Sequence, residues 1–353
     1  MKERYIDYVS LREIGYQLFS RIGMQSLFYK PVVDNLIETS LRGVDSHGIR
    51  LMPHYAQAVL VGRINRTPKF SFRKTSVSTA IFDADHGFGI DAGVQAMSLA
   101  ISLAKANGMG SVAVKNSSHF GAAAIYSLMA AKKDMIGLSF TNTDALVLPF
   151  GAKHAYLGTN PICFAAPVAD EEPFCLDMAT SKIAWNKVVA HRRTNTLLEN
   201  GCVVDKDGND CSDPHAASAL FPLGGYKGYG LALIVEIFCS MLSGMPYGKH
   251  IKKMYPLKKE KRQISHFFLA IDIKRFQKIR DFKSRLKDMI EEIRSVPVAK
   301  GYEKVLVPGD PEKLIYNKRL KEGIPVTEEF YESFLALLEE SDREIFIKQI
   351  REK

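Results

Sequence analysis

Cysteine is scarce here. The 353-residue chain has five, at 163, 175, 202, 211 and 239, and none falls in a C-x-x-C spacing. Neither a disulfide framework nor a cysteine metal site is therefore indicated, and reduced thiols in a cytoplasmic protein are expected. The nine histidines form no H-x-x-x-H or H-E-x-x-H array, so no metal is expected either. Long apolar runs are also missing. The best candidate, "GLALIVEIFCSML", is short and carries Glu236, so it reads as a buried helix and not as a membrane span. The opening "MKERYIDYVSL" lacks the apolar stretch of a secretory signal. The net charge of +9 raises nucleic acid as a partner, but the longest basic run, "KHIKKMYPLKKEKRQ", holds a single aromatic residue and no stacking platform. A solvated basic surface that attracts a small anion is expected instead, with neither nucleic acid nor membrane as partner.

The order of patterns points to an α/β protein. The first seventy or so residues read as helices. Ser10 and Glu13 fit an S-x-x-E capping pattern, Pro31 suits the first turn of a second helix that Gly43 would end, and a third begins at Asp45 or Ser46, or nearer Pro53. After Pro68 short β-rich runs alternate with helical ones: "TAIFDAD", "DAGVQAMSLAISLAKANG", "SVAVK", "AAAIYSLMAAKK", "MIGLSF". From about Phe276 the chain turns helical and charged again, ending in "TEEFYESFLALLEE". We expect a discontinuous helical domain from residues 1–74 and 296–353, and an α/β cofactor-binding domain from 75–295.

Several segments suggest chemistry. "GFGIDA", Gly87 to Ala92, matches G-x-G-x-x-A between a strand and a helix. The acidic ribose partner of a Rossmann turn is missing about twenty residues on, and "DADHG" is too polar for the end of a central parallel strand; an ordinary glycine-rich turn is the favoured reading. "PLGGYKGYG" offers Lys227 and a helix start suited to phosphate, although it is no Walker A loop. Polar residues cluster at strand ends in "TNTDALVLPFG", "LGTNP" and "DMATSK", where α/β sheets place ligands, though turns and caps look the same. "SHGIR" combines Ser46, His47 and Arg50, and arginine suits a two-pronged grip on a carboxylate. In "VKNSSHFGAAA", tiny neighbours leave room for ligands around His119.

Taken in order, "RGVDSHGIRLMPHY", "SSHFGAAA", "PFG…LGTNP", "DMATSKIAWNKV", "DKDGNDCSDP", "LFPLGGYKGYGLAL" and "SGMPYGKHIKKMY" closely resemble the malate/L-lactate dehydrogenase family that is unrelated to Rossmann-type lactate dehydrogenases and includes ureidoglycolate and sulfolactate dehydrogenases. The resemblance runs from about Asp7 to the "VPGDP" near Pro311. It implies a non-Rossmann, mixed-sheet fold, NAD or NADP as cofactor, a homodimer, and a small anionic substrate. Residue by residue, it implies His119 as general acid/base with Asp144 as its carboxylate partner, and Ser46, His47 and Arg50 at the substrate. Thr143, Asp177, Met178, Ala179, Lys227, Gly228, Arg262 and Gly309 would contact the cofactor. Relatives place the arginine one position later, where this chain has Leu51; one residue is about 100° on a helix.

The chemistry supports the same roles. Oxidising a 2-hydroxy acid needs a base with a pKa near neutrality, which suits histidine, and a cation to orient the acid. Malate or lactate leads, ureidoglycolate is the alternative, and an inactive binding protein is the alternative of another class.

Overall fold

The computed structural model describes residues 4–352. Its centre is a seven-stranded sheet built from β2 (Ser71–Lys74), β3 (Thr79–Asp83), β4 (Met109–Ser117), β5 (Met135–Thr141), β6 (Ile162–Ala166), β7 (Phe174–Met178) and β11 (Ile264–Asp272), after the short β1 (Arg4–Ile6). The strand order is β2-β3-β4-β11-β5-β6-β7. Only β3 and β4 pair in parallel; every other neighbour is antiparallel. The sheet is thus mixed, as the resemblance implies.

Both faces of the central strand β11 are covered, and its middle, residues 267–271, is a continuous apolar run. Phe268 packs with Val112, Val114 and the alanines of α4 (Gly89–Asn107), while Phe267 packs on the other face with Val235 and Cys239. Period-two alternation sends neighbouring phenylalanines to opposite layers. Burying each contributes about 1.5–3 kcal/mol. The first layer is α4 with α5 (Ala124–Ala131). The second begins in α7 (Tyr226–Glu236) and continues through a π-helical turn, Ile237–Met241.

Helices α1 (Tyr8–Arg21), α2 (Ser26–Leu41) and α3 (Met52–Leu60) share one core with residues from the other chain end. Ile6, Leu11, Leu36 and Val59 meet Ile324, Phe330, Phe334 and Phe346 there. These come from β12 (Ile324–Val326), α10 (Glu328–Leu335) and α11 (Glu340–Gln349). Strand β1 pairs with both β12 and β13 (Ile350–Glu352). The remaining elements are α6 (Trp185–Thr194), a small sheet of β8 (Val203–Val204), β9 (Asp210–Cys211) and β10 (Ala219–Leu220), then α8 (Ile279–Ser295) and α9 (Asp310–Glu322).

Local expectations are corrected at three points. The cap of α1 is Asp7, whose Oδ2 accepts from Val9 and Ser10 N–H at 3.0 and 2.9 Å; Ser10 lies inside the helix. A carboxylate satisfies two free N–H groups and complements the helix dipole, so it captures the terminus one turn early. Helix α2 begins at Ser26, which leaves Pro31 inside it; the missing donor falls opposite the carbonyl of the exposed Leu27. Finally, the apolar helix is buried on one side only. Ala232, Val235 and Cys239 face the sheet, while Ile234, Ile237, Met241 and Leu242 are exposed.

Among the described residues, no helix is long and apolar enough to cross a membrane, and no cluster of three or more His, Cys, Asp or Glu could hold a metal.

Candidate active site

His119 lies just past β4, on the loop that leads to α5. The loop is fixed from several sides. Ser118 Oγ donates to the Gly87 carbonyl at 2.9 Å and accepts from Gly89 N–H at 2.8 Å. A Cβ on Gly89 would lie 2.2 Å from the Ser118 carbonyl oxygen. That explains the glycine of "GFGIDA": the backbone of the histidine loop presses on it, and no phosphate is needed to account for it. Phe120 stacks on His266 with ring centres 4.7 Å apart. The His266 nitrogens are both occupied, by Thr141 Oγ1 at 2.7 Å and Ser117 Oγ at 2.8 Å. His266 is thus a buried support, and His119 is the imidazole with a free edge.

Around His119 the contacts are specific. Its Nδ1 bonds the Tyr55 hydroxyl at 2.7 Å, and Gly121 N–H points at the same atom from 3.4 Å. The His47 ring stacks on it with centres 5.6 Å apart and planes at 19°, and His47 Nδ1 is held by Ser46 Oγ at 2.8 Å. No protein group bonds His119 Nε2 among the described residues. Burial holds the His119 pKa well below the ordinary range, reinforced by His47 and Arg262. Burial together with Arg50 brings His47 down to about 4. Both rings are therefore neutral near pH 7.

Asp144 does not orient His119. Its Oδ1 takes a short bond from Arg262 Nη2, and its Oδ2 accepts from Met254 N–H at 3.4 Å. Arg262 also donates from Nε to the Lys252 carbonyl at 3.0 Å. The reason lies in the sheet. Strand β11 pairs with β5, so the residue entering β11 meets the residue leaving β5. A guanidinium is the stronger partner for a carboxylate. The bond to His119 Nδ1 expected of Asp144 is made instead by Tyr55, the last residue of "RGVDSHGIRLMPHY", which no sequence pattern singled out. Arg262 lines the cavity with its guanidinium held by Asp144. It is 4 % exposed, and its Nη1 has no partner. A buried guanidinium nitrogen without a partner is rare and asks for an explanation.

These groups open into a cavity of about 1040 Å³, at the upper end of the usual ~300–1,000 Å³ for small-molecule sites. Ser46, His47, Arg50, His119, Asp144 and Arg262 line one end, with Trp185, Asn186 and Tyr255 beside them. Thr143, Asp177, Ala179 and Gly309 also line it. Met178, Lys227 and Gly228 do not; Met178 is tied to Ile162 across β6 and β7, and Lys227 is exposed at the start of α7. The glycine-rich loop there serves the turn into α7. Gly224 and Gly225 have positive φ, and a Cβ on Gly228 would strike the Leu223 carbonyl at 2.2 Å.

Arg50 lies in a short 3-10 turn, Ile49–Leu51, which sends Leu51 into the core and keeps Arg50 on the cavity wall. There Nη2 donates to Asn186 Oδ1 at 2.8 Å, and Glu329 lies 3.9 Å from Nη1. The turn that carries Arg50 is not α-helical, so the rotation of about 100° per residue does not apply there.

The far part of the cavity is largely apolar. Ile125, Leu128 and Met129 form one face of α5 across from Leu306, Val307 and Pro308. Gly309, with φ +97, caps α9; a Cβ there would lie 3.2 Å from Cys175 N, close against β7. Asp177 Oδ2 accepts from Ala124 N–H at 2.7 Å, and the carboxylate faces the cavity.

A buried histidine with a free Nε2, an unpaired buried arginine nitrogen and a cavity of about 1040 Å³ come together at this site. Residues 6–334 match the family described as malate/L-lactate dehydrogenase, and the chain belongs to that family. It is similar to the malate dehydrogenase of Pyrococcus abyssi, with 37% identity covering 98% of both chains. It is equally similar to the L-sulfolactate dehydrogenase of Methanocaldococcus jannaschii, with 37% identity over 91% of this chain and 92% of that one. The crystal structure of malate dehydrogenase from Entamoeba histolytica superposes with a TM-score of 0.90 at 30% identity, covering 95% of this chain and 97% of that one. Ureidoglycolate dehydrogenases are among the relatives as well. The protein is a dehydrogenase.

Proposed function

We propose that this dehydrogenase interconverts small 2-hydroxy acids and 2-keto acids with NAD or NADP, malate being favoured over lactate and ureidoglycolate the next candidate. One observation carries the reading: His119, held at Nδ1 by Tyr55, and Arg262, whose buried Nη1 has no partner, line the same cavity. The arginine takes the substrate carboxylate, with Asp144 fixing the guanidinium from the other side. The hydroxyl then meets His119 Nε2, which accepts its proton in the tautomer whose Nδ1–H donates to the Tyr55 oxygen, so that Tyr55 holds the ring. Thr143, Asp177, Ala179 and Gly309 would hold the cofactor. When bound, the nicotinamide supplies the hydride acceptor for C2. The test is a panel of hydroxy and keto acids with each cofactor, followed by absorbance of the reduced nicotinamide. Turnover of none would leave the inactive binding protein as the better reading.

Arg50 is read as a second cation, for the distal part of the substrate. Replacing it with methionine or lysine is expected to raise the substrate KM about tenfold or more and to lower kcat less, with cofactor binding unchanged. Wild-type kinetics in both variants would make Arg50 a wall residue tied to Asn186.

We read the protein as a cytoplasmic homodimer, its helical unit formed by residues 1–74 and 296–353 and its cofactor-binding unit by 75–295. The exposed face of α7 and its π turn supports the dimer: Ile234, Ile237, Met241 and Leu242 are each 46–54% exposed, with Tyr226 at 64% nearby. Monomers rarely leave so many contiguous apolar side chains uncovered. The double variant Ile237→Asp, Met241→Asp is expected to halve the mass measured by light scattering. A dimer that survives both charges would place the interface elsewhere.

A further inference from the structure

The end of the cavity away from His119 carries an excess of negative charge. Two of its cations are neutralised in place. Arg42 lies between Glu38 at 2.9 Å and Glu172 at 3.2 Å. Lys313 reaches Glu171 at 3.1 Å and Asp310 at 3.9 Å. Arg294 closes that second cluster, bonding Asp310 at 2.6 Å and Glu171 at 3.1 Å. Two further carboxylates line the cavity without a cationic partner, Asp177 and Glu312. They approach because Gly309 packs α9 against β7 at Cys175: Asp177 follows two residues later on the strand, and Glu312 three residues later on the helix. Asp177 is exposed to the cavity, and Glu312 is near enough for its charge to bear on that carboxylate. Lys132, at the rim, is exposed to solvent.

On the dehydrogenase reading a nicotinamide would lie beside His119, where the substrate is, and the adenosine half would be left to the end lined by α5 and Leu306, Val307 and Pro308. NAD and NADP differ only there, by a phosphate on the adenosine ribose. A carboxylate hydrogen-bonds a free 2′-hydroxyl and repels a 2′-phosphate. We propose that Glu312, facing the cavity near Asp177, makes this site select NAD(H) against NADP(H). The assignment rests on the dehydrogenase reading above and adds the cofactor and the residue that chooses it.

Calorimetric titration tests it without turnover, using NAD+, NADP+, ADP and adenosine 2′,5′-bisphosphate as ligands. The wild type is expected to bind NAD+ at least about tenfold more tightly than NADP+, and ADP more tightly than the bisphosphate. Glu312→Gln should narrow both ratios, and Glu312→Lys should reverse them. Because Glu312 makes no hydrogen bond or ion pair within the described residues, both variants are expected to keep the wild-type melting temperature. Equal or inverted wild-type ratios would overturn the proposal and give the choice to Lys132. Ratios unchanged by Glu312→Lys would do so as well. If neither dinucleotide binds, the nicotinamide reading itself fails, and the selection with it.

Discussion

His119→Ala is expected to lower turnover by at least about a hundredfold, the usual scale for a general acid/base, while leaving NAD(H) affinity by titration near wild type. The pH profile should carry a second signature. Burial and neighbouring cations depress the His119 pKa, so the free enzyme keeps a neutral base to lower pH than an ordinary histidine with pKa 6.5 would allow. For hydroxy-acid oxidation, the acid limb of kcat/KM should therefore fall below pH 6.5. For keto-acid reduction, which needs the protonated ring, the rate should rise as pH drops toward that limb. Tyr55→Phe removes the bond to Nδ1 and should move the limb and lower kcat, with smaller effect than loss of the imidazole. An acid limb unaffected by Tyr55→Phe would show that the phenol only fills space.

Arg262→Met is the second large effect. Two losses are expected to coincide: the cation for the substrate carboxylate, and the partner of Asp144, which is only 9 % exposed. Leaving one member of a buried pair uncompensated costs about 3–5 kcal/mol, so the melting temperature should fall together with a large rise in substrate KM. A double variant separates the two roles. Arg262→Met with Asp144→Asn removes both charges and should recover most of the stability, but none of the substrate binding. If the double variant also regains keto-acid reduction, Arg262 is a structural residue, and the carboxylate is held by Arg50 or His47. Arg262→Lys should rescue poorly, because an ammonium cannot serve Asp144 and the substrate with two separate prongs of one plane.

Much of this site could be read from the sequence where the signal was local. The small residues around His119 and the polar ends of strands β5 and β7 fall on the cavity wall as their patterns suggest. The errors arise where contacts are made across the fold. Asp144 and Arg262 are 118 residues apart and meet only because β11 pairs with β5; no spacing rule brings them together. Tyr55 is 64 residues from His119 and looks like any aromatic on a core-facing helix. Lys227 is a different case. A lysine in a glycine-rich loop before a helix resembles a phosphate site; three of the four glycines there answer to backbone geometry, and the lysine is exposed and does not line this chain's cavity. The apolar run in α7 misled because hydrophobicity alone does not say which side is covered by the same chain. At Arg50, the departure from the family spacing was visible, but the 3-10 turn that carries the residue was not.

The position of β11 bears on how the chain is made. The strand joins the middle of the sheet, between β4 and β5, although more than a hundred residues separate it from either. During synthesis, β3 to β7 leave the ribosome with a slot open at their centre, its edges unpaired and its apolar faces uncovered. The slot closes only after Asp272 has emerged, and β1 must wait longer still for β12 and β13. Such distant pairing folds slowly and leaves strand edges open to wrong partners. Nascent chains halted before residue 264 should therefore be protease-sensitive and bound by chaperones, and those halted well past residue 272 should resist digestion through the sheet.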